Sequence, residues 1–119
     1  MKRSIGVSIV IAICIIAGMS FLPAKDKLDG KALYFEYCRP CHTEDSDDGD
    51  YSPMSLIQDQ WNEFFDERLA STHDAVADPN HDNKPVLEVL TPELLKAIKK
   101  FTVDHAADSE QPMSCDSGS

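Results

Sequence analysis

The sequence predicts a small all-α domain. Its 119 residues are too few for two ordinary domains of about 100 to 200 residues each. Apolar residues recur at three- and four-residue steps in three segments, which is the period of an amphipathic helix. The sequence contains no alternating strand pattern, no internal repeat and no Gly-rich phosphate loop. We therefore expect helices packed as one domain.

The first 24 residues have the composition of a targeting segment. Two basic residues precede the run 5–22, which contains no charged residue. A basic start, an apolar middle and small residues near the end are typical of a cleaved signal peptide over 1–24. A run of about 18 apolar residues is also at the lower limit of a membrane span, so an uncleaved anchor is the alternative. Both predict export, and we expect a periplasmic domain over 25–119 that ends in a tail, 108–119.

The predicted exported part, residues 25–119, is strongly acidic. Two of the 11 Lys and Arg lie in the leader, so nine basic residues accompany all 21 acidic ones, a balance of −12. Such a surface repels nucleic acid, which excludes nucleic-acid binding, and it favours partners with basic docking surfaces. Because so short a chain buries little core, we also expect disulfides, a metal or a bound group to stabilise it.

Three helices follow the leader. The first covers 30–37, where apolar residues form a wide face, and the second covers about 58–70. The third begins after Thr91, which can cap it, and has Pro92 at its first position. We expect it to end near Ala107, before a polar and Pro-containing tail.

Two irregular segments separate these helices. The acidic run 44–50 has the composition of a solvent-exposed loop, because neither a helix nor a strand favours it. The segment 71–85 is rich in Asp, Asn and Pro, which indicates turns.

The first loop begins with a cysteine and histidine motif. Cys38-Arg39-Pro40-Cys41-His42 has the C-x-x-C-H spacing at which c-type haem is attached. Two thiols at this spacing can form thioether bonds with the two vinyl groups of one haem, and the next residue brings its imidazole to the iron. We therefore predict one covalently bound haem c, held by Cys38 and Cys41, with His42 as the proximal iron ligand.

Two other kinds of site use the same residue types. The pair Cys38 and Cys41 resembles that of thioredoxin-like thiol oxidoreductases, but that chemistry needs a strand and a βαβ sheet around the cysteines. A structural zinc site needs four ligands, which would be Cys38, Cys41 and His42 with Cys115 or His73. Neither requirement is evident in the sequence, so haem is favoured.

Beyond this motif, the chain resembles monohaem class I cytochromes c. The resemblance is carried by GKALY at 30–34, which leads into the haem motif, and by LTPEL at 90–94, which opens the last helix. It covers most of residues 25–119 and is weakest in the middle. It implies a small helical domain wrapped around one haem.

The resemblance also implies how the first and last helices meet. Gly30 and Tyr34 match the family's contact positions in the first helix, and Ile98 and Phe101 match those in the last. We therefore expect these two helices to cross closely.

Three further residues are expected to contact the haem. In the resemblance, Pro53 matches a residue whose carbonyl orients the proximal imidazole, and Leu56 matches one that lines the haem. Trp61 is expected to pack against the haem or the core, and its indole N–H could bond a propionate.

The sixth iron ligand is where the chain departs from the family. Members usually offer a Met before the last helix, but 57–112 contains none. Met54 is expected on the proximal side, so we predict that Met113 folds back from the tail to supply the ligand. His73 and His81 are the alternatives and would give two imidazole ligands. An open coordination site is the remaining possibility.

The function expected from these residues is single-electron transfer between redox proteins, with no net catalysed reaction. One alternative is a five-coordinate haem module that senses or binds a gas. The other is a thiol oxidoreductase that uses Cys38 and Cys41.

Overall fold

The computed structural model describes residues 27–114, and this part of the chain is helical. The feature closest to a strand within these residues is a single antiparallel bridge between Ala77 and Pro85. The prediction of an all-α fold is confirmed for them. The α-helices are α1 (Gly30–Tyr37), α2 (Gln58–Glu63), α3 (Leu69–Thr72), α4 (Val86–Val89) and α5 (Pro92–Asp104), with a 3₁₀ turn at Pro53–Ser55 and a π-helical segment at Phe64–Arg68.

The predicted leader 1–24 and Cys115 lie outside the described residues. Within the part that the structure describes, none of the helices has the length and apolar character needed to cross a membrane.

Both terminal helices begin at the residues that the sequence predicts. The Asp29 carboxylate caps α1 by accepting the backbone N–H groups of Lys31 (3.0 Å) and Ala32 (3.2 Å). The Thr91 hydroxyl caps α5 by accepting the N–H of Leu94 (3.4 Å). A side chain that bonds these otherwise unpaired N–H groups stabilises the first turn, which is why local sequence determines where the helices begin.

Helix α5 ends at Asp104, three residues before the predicted end near Ala107. His105 leaves the helical conformation, and its ring Nδ1 lies 2.8 Å from the carbonyl oxygen of Gln111, so the chain folds back. The N–H of Ala107 donates to the carbonyl of Leu56 (3.1 Å) instead of continuing the helix. Contacts with the tail and with a distant loop therefore end α5 early.

Helices α1 and α5 cross at a glycine. A Cβ atom at Gly30 would lie 2.3 Å from the carbonyl oxygen of Ala97 and 2.8 Å from the Cβ of Phe101, so only glycine permits this approach. The rings of Tyr34 and Phe101 pack 5.7 Å apart at the same crossing, and Ile98 is fully buried. The close crossing of the first and last helices is confirmed.

The middle helix differs from its prediction in length and in winding. Segments α2, Phe64–Arg68 and α3 follow one another without a break and form what we call the central helix, 58–72. It extends two residues beyond the predicted end at about 70. Its middle is π-helical, and the N–H of Leu69 donates to the carbonyl of Phe64 five residues earlier.

The buried core of the described residues is small. Tyr34, Val86, Leu90 and Ile98 form one cluster at the junction of α1, α4 and α5. Helix α4 was not predicted, yet it supplies Val86 and leads into Leu90. In the central helix Trp61 and Leu69 are buried, whereas Phe64 and Phe65 are only partly buried, and all four border a cavity.

Candidate functional site

A cavity of about 480 Å³ lies between α1, the central helix and α5. This volume falls in the range of about 300 to 1,000 Å³ that is typical of ligand pockets. The walls are mostly apolar, as expected for a site that binds a large hydrophobic group. They include Trp61, Phe64, Phe65, Leu69, Leu90 and Leu95.

Cys38, Cys41 and His42 all border this cavity. Cys38 caps the C-terminus of α1, where its N–H donates to the carbonyl of Tyr34 (3.0 Å). The carbonyl of Cys38 then accepts the N–H groups of Cys41 (3.3 Å) and His42 (3.1 Å), which closes one compact turn. Both cysteines are free thiols. The end of α1 therefore delivers the whole motif to one wall of the cavity.

The environment of the two thiols keeps them protonated. Burial raises the pKa of Cys38 to about 12, and the neighbouring Cys41 thiol adds to this effect. Burial also raises the pKa of Cys41, with smaller contributions from the Asp48 and Asp78 carboxylates. Thiol oxidoreductases need a depressed thiol pKa and, in the thioredoxin-like type, a surrounding sheet. Residues 27–114 provide neither feature.

Two backbone carbonyls orient the His42 ring. Its Nδ1 lies 3.2 Å from the carbonyl oxygen of Asp48 and 3.1 Å from that of Gly49. Carbonyl oxygens only accept hydrogen bonds, so Nδ1 carries a proton, and the lone pair of the neutral ring is on Nε2. Metal-binding histidines generally have this arrangement, in which a hydrogen-bond acceptor at the other ring nitrogen sets the tautomer and the ring orientation. His42 is thus prepared to coordinate through Nε2.

The loop that carries these carbonyls is fastened to α1. Arg39 donates through Nη1 to the carbonyls of His42 (2.7 Å) and Tyr51 (3.1 Å), and it pairs with the carboxylate of Asp50. The Tyr34 hydroxyl also donates to the carbonyl of Tyr51. Hydrogen bonds at both ends of the loop therefore keep the His42 ring in place.

Pro53, Leu56 and Trp61 were expected to contact the haem, and the structure places them differently. Leu56 and Trp61 border the cavity, whereas Pro53 is buried and is not among the residues that line it. The Pro53 carbonyl accepts the indole N–H of Trp61 (2.8 Å), so neither group is directed at His42 or at a propionate. Asp48 and Gly49 orient the imidazole in place of Pro53. In the sequence, the one sign of this tight turn is Gly49 in the acidic loop. Its φ of +86° is a conformation that favours glycine.

The candidates for the sixth ligand lie in three different places. His73 borders the cavity, and its ring centre is 6.1 Å from that of His42. His81 is not among the lining residues, and both of its nitrogens have partners: Nδ1 faces Asp78 (2.9 Å) and Nε2 faces Glu36 (3.3 Å).

Met113 lies at a second, smaller cavity of about 220 Å³. It shares this cavity with Phe101 and His105, and its N–H donates to the carbonyl of His105 (3.2 Å). Met54 is 42 % exposed. Neither methionine borders the large cavity, so of the three candidate residues for the sixth ligand, Met113, His73 and His81, only His73 lies at the cavity with His42.

Side chains alone do not form a metal-ion cluster in the described part of the chain. Groups of three or more His, Cys, Asp or Glu side chains suited to holding a metal ion are absent from residues 27–114. The zinc alternative requires such a group, whereas haem iron requires at most two axial ligands from the protein. Two thiols and an oriented imidazole on an apolar cavity fit a covalently attached haem.

Comparison with protein-family models, curated proteins and solved structures finds nothing that matches the chain. The assignment of the site therefore depends on its own residues and their geometry.

Proposed function

We propose that this protein is an electron carrier that holds one haem c in the large cavity. A single observation carries the proposal: all three functional residues of the C-x-x-C-H motif border one apolar cavity of ligand-binding size. The resemblance to monohaem class I cytochromes c points to the same function.

The two thiols would attach the cofactor. Each thiol adds its sulfur and its hydrogen across one vinyl group, so the reaction needs no oxidant or reductant. Cys38 and Cys41 belong to one turn, and this turn would fix one edge of the macrocycle against the end of α1. Two bonds from one turn define both the position and the tilt of the bound group.

His42 would supply the proximal ligand through Nε2. The carbonyls of Asp48 and Gly49 accept the hydrogen bond from Nδ1–H, which orients the imidazole and directs coordination to Nε2. Arg39 stabilises the same loop through the carbonyl of His42. These contacts limit movement of the ligand when the charge of the site changes, which favours fast electron exchange.

Bound haem supplies a one-electron ferric/ferrous couple, and the protein tunes its potential. The apolar walls exclude water, which disfavours the form with the higher net charge. One electron enters from a donor protein and the same electron leaves to an acceptor, so the carrier itself catalyses no net reaction.

The charge of the chain indicates the kind of partner. Asp48 borders the cavity and belongs to the acidic run 44–50, so negative charge lies beside the proposed haem site. Donors and acceptors with basic docking surfaces would be attracted there. We further propose that the leader 1–24 directs the domain to the periplasm, where c-type haem proteins act.

The proposal is tested by spectroscopy of the holoprotein produced with a cytochrome c maturation system. We expect an anaerobic reductive titration to consume one electron per chain, with full conversion between a ferric and a ferrous spectrum. Cys41→Ser should weaken haem attachment, and Cys115→Ser is the matched control because this cysteine lies outside the motif. His42→Ala should change the spectrum of any haem that remains. Equal haem content in the two cysteine variants, or an unchanged spectrum in His42→Ala, would contradict the proposal.

A further inference from the structure

We infer that His73 is the second axial ligand of the haem iron. This inference rests on the proposed function, because it concerns the same cavity and the same cofactor. His73 follows the last residue of α3 and is half-buried at the cavity wall. Its ring lies edge-on to that of His42 at a centre-to-centre distance of 6.1 Å, with an angle of 65° between the ring planes.

The distance between the rings matches one iron placed between them. Two metal–nitrogen bonds of about 2 Å, with roughly 1.2 Å from each nitrogen to its ring centre, separate two opposite imidazoles by about 6.4 Å. The ring centres of His42 and His73 are 6.1 Å apart, which is close enough to this value that a small side-chain movement would remove the difference. The angle between the two ring planes does not have to take a particular value for coordination, because each ring can rotate about its bond to the metal.

The hydrogen bonds of His73 involve Nδ1 and leave Nε2 available to coordinate the iron. Its Nδ1 lies 3.0 Å from the carbonyl oxygen of Leu69 and 2.9 Å from the hydroxyl of Thr72. That hydroxyl donates its own proton to the carbonyl of Arg68 (2.9 Å), so it can accept from Nδ1. Nδ1 of His73 therefore carries a proton, and the lone pair of the neutral ring is on Nε2.

His42 and His73 thus share one arrangement. In each, a backbone carbonyl holds Nδ1–H, and within the described residues Nε2 has no hydrogen-bond partner. Coordination by a neutral imidazole forms a bond from its lone pair and moves neither a proton nor an electron. The geometry offers two imidazole Nε2 atoms, each on a ring whose Nδ1–H is already bonded to a backbone carbonyl.

The π-helical segment explains how His73 reaches the cavity. Trp61, Phe65, Leu69 and His73 are spaced four residues apart and all border it. In a regular α-helix each four-residue step exceeds a full turn by about 40°, so His73 would rotate away from the face that begins at Trp61. The wider turn at Phe64–Arg68 takes up part of this excess. Segments of this kind are frequent at functional sites.

Two imidazole ligands have consequences for the function. A bis-histidine iron has a lower potential than one with a Met ligand, because the thioether favours the ferrous state. A six-coordinate iron also offers no free position to a gas. The inferred ligand set therefore favours a low-potential carrier over a gas-binding module.

The test uses the haem-loaded protein and its His73→Ala and His73→Met variants. We expect the parent to be low-spin, to lack the weak charge-transfer band of Met ligation at the red end of the ferric spectrum, and to bind no carbon monoxide when ferrous. His73→Ala should become high-spin and bind carbon monoxide, and added imidazole should restore the parent spectrum. His73→Met should remain six-coordinate, gain the charge-transfer band and have a higher midpoint potential.

The controls are His81→Gln and Met113→Ala, which we expect to keep the spectrum and potential of the parent. The inference is overturned if His73→Ala retains haem with an unchanged spectrum, or if Met113→Ala is the variant that opens the iron. A parent that is high-spin or binds carbon monoxide overturns it even if His73→Ala does not fold. In each of these cases the haem is still attached, and the one-electron reductive titration then decides the proposed function separately, whereas a protein without haem contradicts the proposed function itself.

Discussion

At the scale of single residues, backbone carbonyls control the chemistry of the cavity histidines. The ring of His42 is held by Asp48 and Gly49, and the ring of His73 is held by Leu69. A carbonyl fixes the tautomer without placing a negative charge beside the imidazole, so each ring is suited to act as a ligand through Nε2. Replacing the side chain of a residue that supplies such a carbonyl leaves the carbonyl oxygen itself in place. The orientation of the two histidine rings therefore depends on the path of the backbone.

Tyr34 allows a test of the packing behind the haem motif. Its side chain is 3 % exposed and its hydroxyl donates to the carbonyl of Tyr51, and burial raises its pKa well above 10. The folded state therefore favours the protonated phenol. Its contribution to stability is complete below pH 10, the ordinary value in the unfolded chain, and is lost as pH rises from there towards the folded-state pKa.

We expect Tyr34→Phe to lower the free energy of unfolding at pH 7 by about 0.5 to 1.5 kcal/mol, the usual net value of one hydrogen bond. When the pH is raised from 7 to 11, the free energy of unfolding should fall by about 1 kcal/mol less in the variant than in the parent, because the variant has no buried phenol to ionise. Denaturant unfolding of the holoprotein at both pH values measures this difference. Tyr51→Phe is the control, since its ring is 43 % exposed and its carbonyl is retained. An identical alkaline loss in Tyr34→Phe and the parent would refute this account.

The sequence predicts the residues of the motif and misses their partners for a physical reason. Cys38, Cys41 and His42 are recognisable because their spacing is local. The carbonyls of Asp48 and Gly49 come from a loop whose path depends on Arg39 and on helix packing, so no spacing rule identifies them. The proposed role of His73 likewise depends on the winding of the central helix.

At the scale of secondary structure, the crossing of α1 and α5 determines where the motif lies. Helix α1 ends directly at Cys38, so its contact with α5 fixes one wall of the cavity. The crossing is close because Gly30 has no Cβ to meet the Ala97 carbonyl.

We expect Gly30→Ala to destabilise the holoprotein by about 1 to 3 kcal/mol, the usual cost of overpacking. Its new methyl group would meet the backbone oxygen of Ala97, which cannot rotate away as a side chain can. The gain in helix propensity, at most about 1 kcal/mol, does not offset this cost. Chemical denaturation measures the change, with the exposed position Ala32→Ser as the control, which should stay within about 0.5 kcal/mol. A Gly30→Ala variant as stable as the parent would show that α1 and α5 do not need this close approach.

The helices differ in how far they can be predicted. The starts of α1 and α5 follow from Asp29 and Thr91, whose side chains act on their own first turns. The end of α5 depends on the tail through the Gln111 carbonyl. Helix α4 is only four residues long and is stabilised by burial of Val86, so its local sequence carries little signal.

At the scale of the whole molecule, charge is the dominant feature. Residues 25–119 carry a balance of −12, and Asp48 of the acidic run 44–50 borders the cavity. Long-range attraction of a basic partner acts over roughly the Debye length, which falls from about 30 Å at 0.01 M salt to about 10 Å at 0.1 M.

We expect the rate of electron exchange with a basic redox protein to fall about tenfold or more over this range of ionic strength. Stopped-flow kinetics with the reduced holoprotein measures the rate, and an acidic redox protein is the matched control, for which the rate should rise with salt. A rate with the basic protein that does not change with salt would rule out electrostatic recognition.

The measurement that tests the central claim most directly is the intact mass of the exported protein after denaturation, with its colour followed through acid acetone extraction. Covalent attachment through Cys38 and Cys41 predicts a coloured protein whose mass exceeds that of the polypeptide by one haem. A colourless chain of polypeptide mass, with free thiols at Cys38 and Cys41, would contradict the account.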